Sequence, residues 1–121
     1  MPAIESQIDI SGSAYGESAA AMQAALDAFR EAEAKVRSKE EDARPKFEKR
    51  GKLLPRERMS LLLDRGAPFV ELMSLAGRMM HDDRNGSSAG GGIIAGIGYV
   101  RGTRCLVVAN NSAIKGGTIS P

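Results

Sequence analysis

Lys115-Gly116-Gly117-Thr118 directly follows an apolar run, and its residue types suit an anion. Consecutive glycines after a strand can aim backbone N–H groups at a phosphate or carbonyl oxygen. A lysine beside them adds a compact point charge. The order differs from that of a phosphate loop, where Gly-Lys-Ser/Thr leads into a helix. An ordinary turn carrying a solvated lysine accounts for the same residues. Local chemistry leaves both readings open.

A second chemical signal is basic. Between Arg44 and Arg58 stand seven cations (Arg44, Lys46, Lys49, Arg50, Lys52, Arg56, Arg58) against two acids, Glu48 and Glu57. Such a run suits RNA, a phosphorylated cofactor or an acidic partner, but most often it is a solvated or salt-bridged face. The glycines at 90, 91, 92, 96 and 98 fail the dinucleotide fingerprint, because Arg101 stands where its last glycine belongs. Gly96 and Gly98 instead predict close packing or a bulge within a strand. Met79-Met80-His81-Asp82-Asp83 has no second histidine and no helical i, i+4 ligand spacing, and reads as a surface loop. Cys105 lies among apolar residues as a small hydrophobe. No nucleophile–base pair is visible.

These residues must be carried by a scaffold of 121 residues, of one modest domain's size or part of a larger one. The net charge of +2 is too near neutral to make nucleic acid the default partner. With three Phe, two Tyr and no Trp, the chain also lacks the aromatic platforms on which single strands stack. A lone cysteine, no secretory pattern and no membrane-length apolar stretch predict a soluble intracellular protein.

Residues 1–16 read as a flexible arm. From Glu17 to about Ala43 the chain is rich in helix formers, with Met22, Leu26, Phe29, Ala32 and Val36 on one stripe. Pro45 ends or kinks that helix. Gly51 suits a helix C-terminus, and Pro55 the first turn of another helix, which should bury Met59, Leu62 and Leu63. Residues 82–92 are loop. Ile93–Val100 and Arg104–Ala109 form two strands joined around Arg101-Gly102-Thr103, a hairpin. The second strand is apolar on both faces, as in a sheet covered on both sides. Two strands and these helices cannot supply both layers, so the chain is expected to be the front piece of a larger protein.

The motifs in order resemble one family. Gly51-Lys-Leu-Leu-Pro-Arg-Glu-Arg58, Leu61-Leu-Leu-Asp64, Pro68-Phe-Val-Glu71, Gly90-Gly-Gly-Ile-Ile-Ala-Gly-Ile-Gly98, Val107-Val-Ala-Asn110 and Lys115-Gly-Gly-Thr118 with Pro121 are similar to the carboxyltransferase (β) subunit of biotin-dependent acyl-CoA carboxylases. The resemblance runs from about residue 17 to the end. It implies an α/β, crotonase-like fold of ββα units wound in a spiral. On that pattern residues 17–66 are a helical N-terminal extension and residues 67–121 begin the first crotonase-like domain.

The implied activity transfers a carboxyl group from carboxybiotin to an unsaturated branched acyl-CoA, geranyl-CoA or 3-methylcrotonyl-CoA. Asn110-Asn-Ser-Ala-Ile-Lys115 departs from the pattern of many relatives and is closer to these two types than to propionyl-CoA enzymes. The oxyanion glycines of the family lie beyond Pro121, so the resemblance assigns no catalytic residue and no metal site here, and the piece alone is expected to be inactive. It assigns Ala113, Ile114, Lys115, Gly116 and Gly117 to CoA. Biotin is then carried by a partner, the biotin carboxylase/biotin carrier (α) subunit, around a homo-oligomeric, hexameric β core, with neither nucleic acid nor membrane involved. The implied location is the bacterial cytoplasm, or the mitochondrial matrix in a eukaryote. The rival reading is a non-enzymatic binding or assembly module that docks a partner through the basic helical segment.

Overall fold

The computed structural model describes residue 6 and residues 8–81, 83–90 and 92–118. Residues 1–5 and 7 of the expected arm, Asp82, Gly91 and residues 119–121 lie outside the described residues. The chain divides into two units, Met1–Glu31 and Ala32–Pro121. Its helices are α1 (Ser13–Glu41), α2 (Arg44–Glu48) and α3 (Pro55–Leu62), and its strands are β1 (Val70–Leu72), β2 (Ile93–Val100) and β3 (Thr103–Asn110). A single 3₁₀ turn, Lys115–Gly117, closes the series.

In the first unit the helix begins four residues before the expected Glu17. Asp9 explains the early start: its carboxylate accepts the Ser11 N–H at 2.9 Å, and its carbonyl accepts the Gly12 N–H. That turn sets the chain on course for Ser13. The apolar stripe is only half realised, because Met22, Leu26 and Phe29 are exposed while Ala32 and Val36 are buried. Alanines at 19, 20, 21, 24, 25 and 28 sustain the exposed helix through propensity and length rather than packing.

In the second unit Pro45 occupies the first turn of α2 rather than the last turn of α1. Gly51 turns left-handed (φ 62°) behind α2, and the Lys52 N–H returns to the Phe47 carbonyl at 3.0 Å. Pro55 opens α3 as expected, and Glu57 reaches back to accept the Leu54 N–H at 2.8 Å. Of the three residues expected inside, Met59 is buried and Leu63 half-buried, but Leu62 is exposed. The helix stops at Leu62 with Leu63 already extended, so the helical spacing that would have turned both inward is broken.

The sheet is antiparallel in the order β1-β2-β3. Arg101 and Gly102, both at positive φ (51° and 78°), make the two-residue turn between β2 and β3. This backbone matches the right-handed twist of paired strands. Asp64 fixes it by accepting the Arg101 and Gly102 N–H groups at 2.7 and 2.6 Å. Gly96 and Gly98 serve packing rather than a bulge, since the register from Ile93↔Asn110 to Val100↔Thr103 is unbroken. A Cβ on Gly96 would run into the Phe69 ring and stand 2.7 Å from the Val70 carbonyl. One on Gly98 would stand 2.6 Å from Leu63 Cδ2. Met59, Ile94 and Val107 form the core there, with Leu63, Phe69, Val100, Cys105 and Ala109 packed against them.

The opposite face of the sheet has no such cover. Val70, Ile97 and Leu106 share it by register, as do Leu72 and Val108 across Ala95. Leu106 is 64 % and Val108 56 % exposed, so β3 is covered on one face only among the described residues. An apolar strand face of this kind is adhesive. The 121-residue chain should therefore self-associate or bind a hydrophobic dye, and Leu106→Lys with Val108→Lys should suppress both. A sharply melting wild-type monomer that leaves the dye dark would refute this.

Candidate functional site

The site is built where β3 ends. Asn111 leaves the strand, its N–H donating to the Gly92 carbonyl at 2.7 Å and its carbonyl accepting the Ile114 N–H at 3.0 Å. Lys115, Gly116 and Gly117 then adopt three successive left-handed conformations, with φ of 46°, 69° and 83°. For glycine this costs little, but a lysine there stores strain on the order of 1 kcal/mol. Such strain persists where the surroundings dictate it, and it concentrates at ligand sites. Gly92 makes room for the end of the turn: a Cβ there would stand 2.6 Å from the Thr118 carbonyl.

Of the five residues expected to meet CoA, Lys115 and Gly116 are exposed, and Ala113 and Gly117 are half-exposed. Ile114 is 2 % exposed, so its side chain anchors the turn in the interior. The Gly117 N–H is already given to the Ile114 carbonyl at 2.8 Å. The Gly117 amide therefore serves the turn itself.

The basic run meets this turn across a cavity. A concavity of about 480 Å³ is lined by Lys46, Phe47, Arg50 and Lys52 on one side and by Ser112, Ala113, Lys115 and Gly116 on the other. The two motifs that the sequence presents far apart thus border one cavity. The rest of the run is divided. Arg44 pairs with Glu41 at 2.7 Å and Glu57 at 2.6 Å. Its hydrogen bonds hold both carboxyls below the ordinary carboxylate value. Arg56 turns inward to a carboxylate pair, Glu40 and Glu71. Burial works against its charge, but the hydrogen bonds to Glu71 and Glu40 outweigh burial and raise its pKa. The run is therefore part scaffold and part cavity wall.

The remaining candidates do not line that cavity. His81 is exposed. Asp83 is buried because it accepts the Met79 N–H at 3.0 Å and the Ser88 N–H at 2.9 Å, holding its own loop. No group of metal-ligating side chains occurs among the described residues, and no described helix is long and apolar enough to cross a membrane. Cys105 is half-buried on the core side of β3. Sequence reasoning missed the buried Glu40–Asn111 contact, because 71 residues separate the partners and neither is marked by a motif.

A small antiparallel sheet, with helices before it in the chain, ends in a strained turn that borders a cavity lined by cations. The chain belongs to the carboxyl transferase domain family, which it matches over residues 46–121. The β subunit of P. aeruginosa geranyl-CoA carboxylase, known by crystal structure, is similar at 62 % identity and a TM-score of 0.87, over 99 % of this chain and 22 % of that one. A probable mitochondrial methylcrotonoyl-CoA carboxylase β chain of Drosophila melanogaster is 40 % identical over 98 % of this chain and 20 % of its own length. The biotin-dependent 3-methylcrotonyl-coenzyme A carboxylase β1 subunit of Mycobacterium tuberculosis is 53 % identical over 67 % of this chain and 15 % of its own. The chain thus spans about a fifth of the length of these relatives.

Proposed function

We propose that these residues form the CoA-holding entry of a carboxyltransferase, with Lys115 and the cations facing it from Lys46 to Lys52 meeting the phosphates of an acyl-CoA. The observation that carries the reading is the shared cavity, which joins the strained turn to the basic run. CoA carries a cluster of phosphates at one end, and flexible ammonium groups meet phosphate as point charges while a guanidinium meets it in a fork. Ala113, Gly116 and Gly117 contribute backbone and shape, and Ile114 holds the turn from inside.

The fold that goes with this reading is crotonase-like, of which the helices and first strands are described here. The substrate is an unsaturated branched acyl-CoA, geranyl-CoA or 3-methylcrotonyl-CoA. The names of the relatives support both choices, and the 62 % identity favours geranyl-CoA. The carboxyl donor is biotin on a partner subunit, and the β subunits assemble around a homo-oligomeric core. No residue of this chain is assigned to biotin: the cavity's cations suit polyphosphate, not a neutral ring. Two arginines of the basic run are committed to intramolecular pairs, which weakens the rival assembly-module reading.

Lys115→Ala should weaken CoA binding by roughly 5- to 150-fold, the loss of one charge-assisted contact of about 1–3 kcal/mol. The defect should shrink at high salt. Alanine keeps an L-residue at the left-handed position, so backbone freedom is not what changes. Calorimetric titration decides: equal dissociation constants for CoA would remove Lys115 from the site.

A further inference from the structure

We propose that Asn111 is the positioning residue of the 112–117 turn, held by a buried polar network that ties the turn to α1 and α3. Asn111 is 4 % and Glu40 5 % exposed. The Asn111 Nδ2 donates to Glu40 Oε1 at 2.5 Å. The other oxygen of Glu40 accepts Arg56 Nε at 2.5 Å, and the same guanidinium grips Glu71 with two bonds, of 2.7 and 2.8 Å. Four side chains from α1, α3, β1 and the end of β3 thus close one chain of hydrogen bonds. Its terminus is the residue whose backbone carbonyl receives Ile114, and Ile114 in turn receives Gly117.

The residue type fits this task. A carboxylate held by an arginine needs a further donor on its free oxygen, and a short amide supplies one. Aspartate could not donate, and it would set two carboxylates against each other in a buried place. Among the described residues Asn111 Oδ1 has no hydrogen-bond partner, so the amide's described side-chain bond is the one its Nδ2 donates to Glu40. What it fixes is a turn with a lysine in the left-handed region, which the chain would otherwise relax.

The identity of the ligand rests on the CoA reading above, but the ordering of the turn does not. In the 121-residue chain carrying Leu106→Lys and Val108→Lys to keep it monomeric, Asn111→Ala should speed amide hydrogen exchange at Ile114 and Gly117 by roughly 10- to 150-fold, the loss of one hydrogen bond to a charged group. Exchange in the middle of β2 should stay unchanged. CoA affinity should fall in the same variant, and by less once Lys115→Ala is already present, because Asn111 acts through that side chain's placement. The exchanged pair Asn111→Asp with Glu40→Gln again sets a donor opposite an acceptor. It should restore slow exchange at both amides, which also keeps the test decisive if the alanine variant fails to fold. Unchanged exchange in Asn111→Ala, or fast exchange in the exchanged pair, overturns the proposal. A parent chain with Asn111 intact that protects the turn but binds no CoA would overturn the CoA reading and leave the positioning role supported.

Discussion

Arg56→Met should cost about 3 kcal/mol of folding stability, the lower end of the range for removing one partner of a buried ion pair, because Arg56 and Glu71 are only part-buried. The guanidinium serves two carboxylates at once, Glu40 on α1 and Glu71 on β1. Without it Glu40 stays buried with only Asn111 among the described residues, and the part-buried Glu71 keeps only Arg37 at 3.8 Å. A loss of that size is a large share of a domain's whole stability of about 5–15 kcal/mol. Arg56→Lys should recover little, because one ammonium cannot hold Glu71 with a fork and reach Glu40 as well. Adding Glu40→Gln and Glu71→Gln to Arg56→Met should restore part of the loss, since no charge is then stranded. Urea denaturation followed by far-UV circular dichroism measures each variant. A stability change in Arg56→Met within ±0.5 kcal/mol, the usual surface range, would show that the network is ornamental.

The second large effect is electrostatic. Arg50→Glu combined with Lys115→Glu reverses the charge on both walls of the cavity that α2 and the 3₁₀ turn share. CoA affinity should drop by more than about 100-fold, equivalent to roughly 2.7 kcal/mol, since two attractive contacts become repulsive. Both residues are exposed, so the thermal midpoint should move little. Pantetheine, which lacks the phosphate cluster, should bind wild type and variant alike. A reversed variant with near-native CoA affinity would place the phosphates elsewhere.

Much of this scaffold is legible in the sequence where one residue's stereochemistry decides the outcome. Pro55 opens α3, Arg101-Gly102 turns the hairpin, and Gly96 and Gly98 admit Phe69 and Leu63 against the strand. The site is legible only in pieces. The basic run and Lys115-Gly-Gly each carry their chemistry openly, but no local rule says that they border one cavity. Tertiary choices are hidden for the same reason. Glu40 looks like any surface acid of a charged helix until Arg56 and Asn111 arrive from distant segments. Val70–Leu72 is too short to announce itself as β1, and pairing with β2 alone makes it a strand. The stripe through Met22, Leu26 and Phe29 has helical spacing, yet spacing does not supply a surface to pack against.

The central claim is that the turn after β3 and the basic run together hold the phosphate end of CoA. The most direct test is to follow the backbone amides of the ¹⁵N-labelled chain, kept monomeric by Leu106→Lys and Val108→Lys, by NMR while adding CoA, with pantetheine as the control. CoA should shift Lys46, Arg50, Lys52 and Ser112 through Gly116 in one saturating, salt-sensitive transition, and pantetheine should leave Lys46, Arg50 and Lys52 in place. Shifts confined to other surfaces, or the same response to both compounds, would contradict the claim.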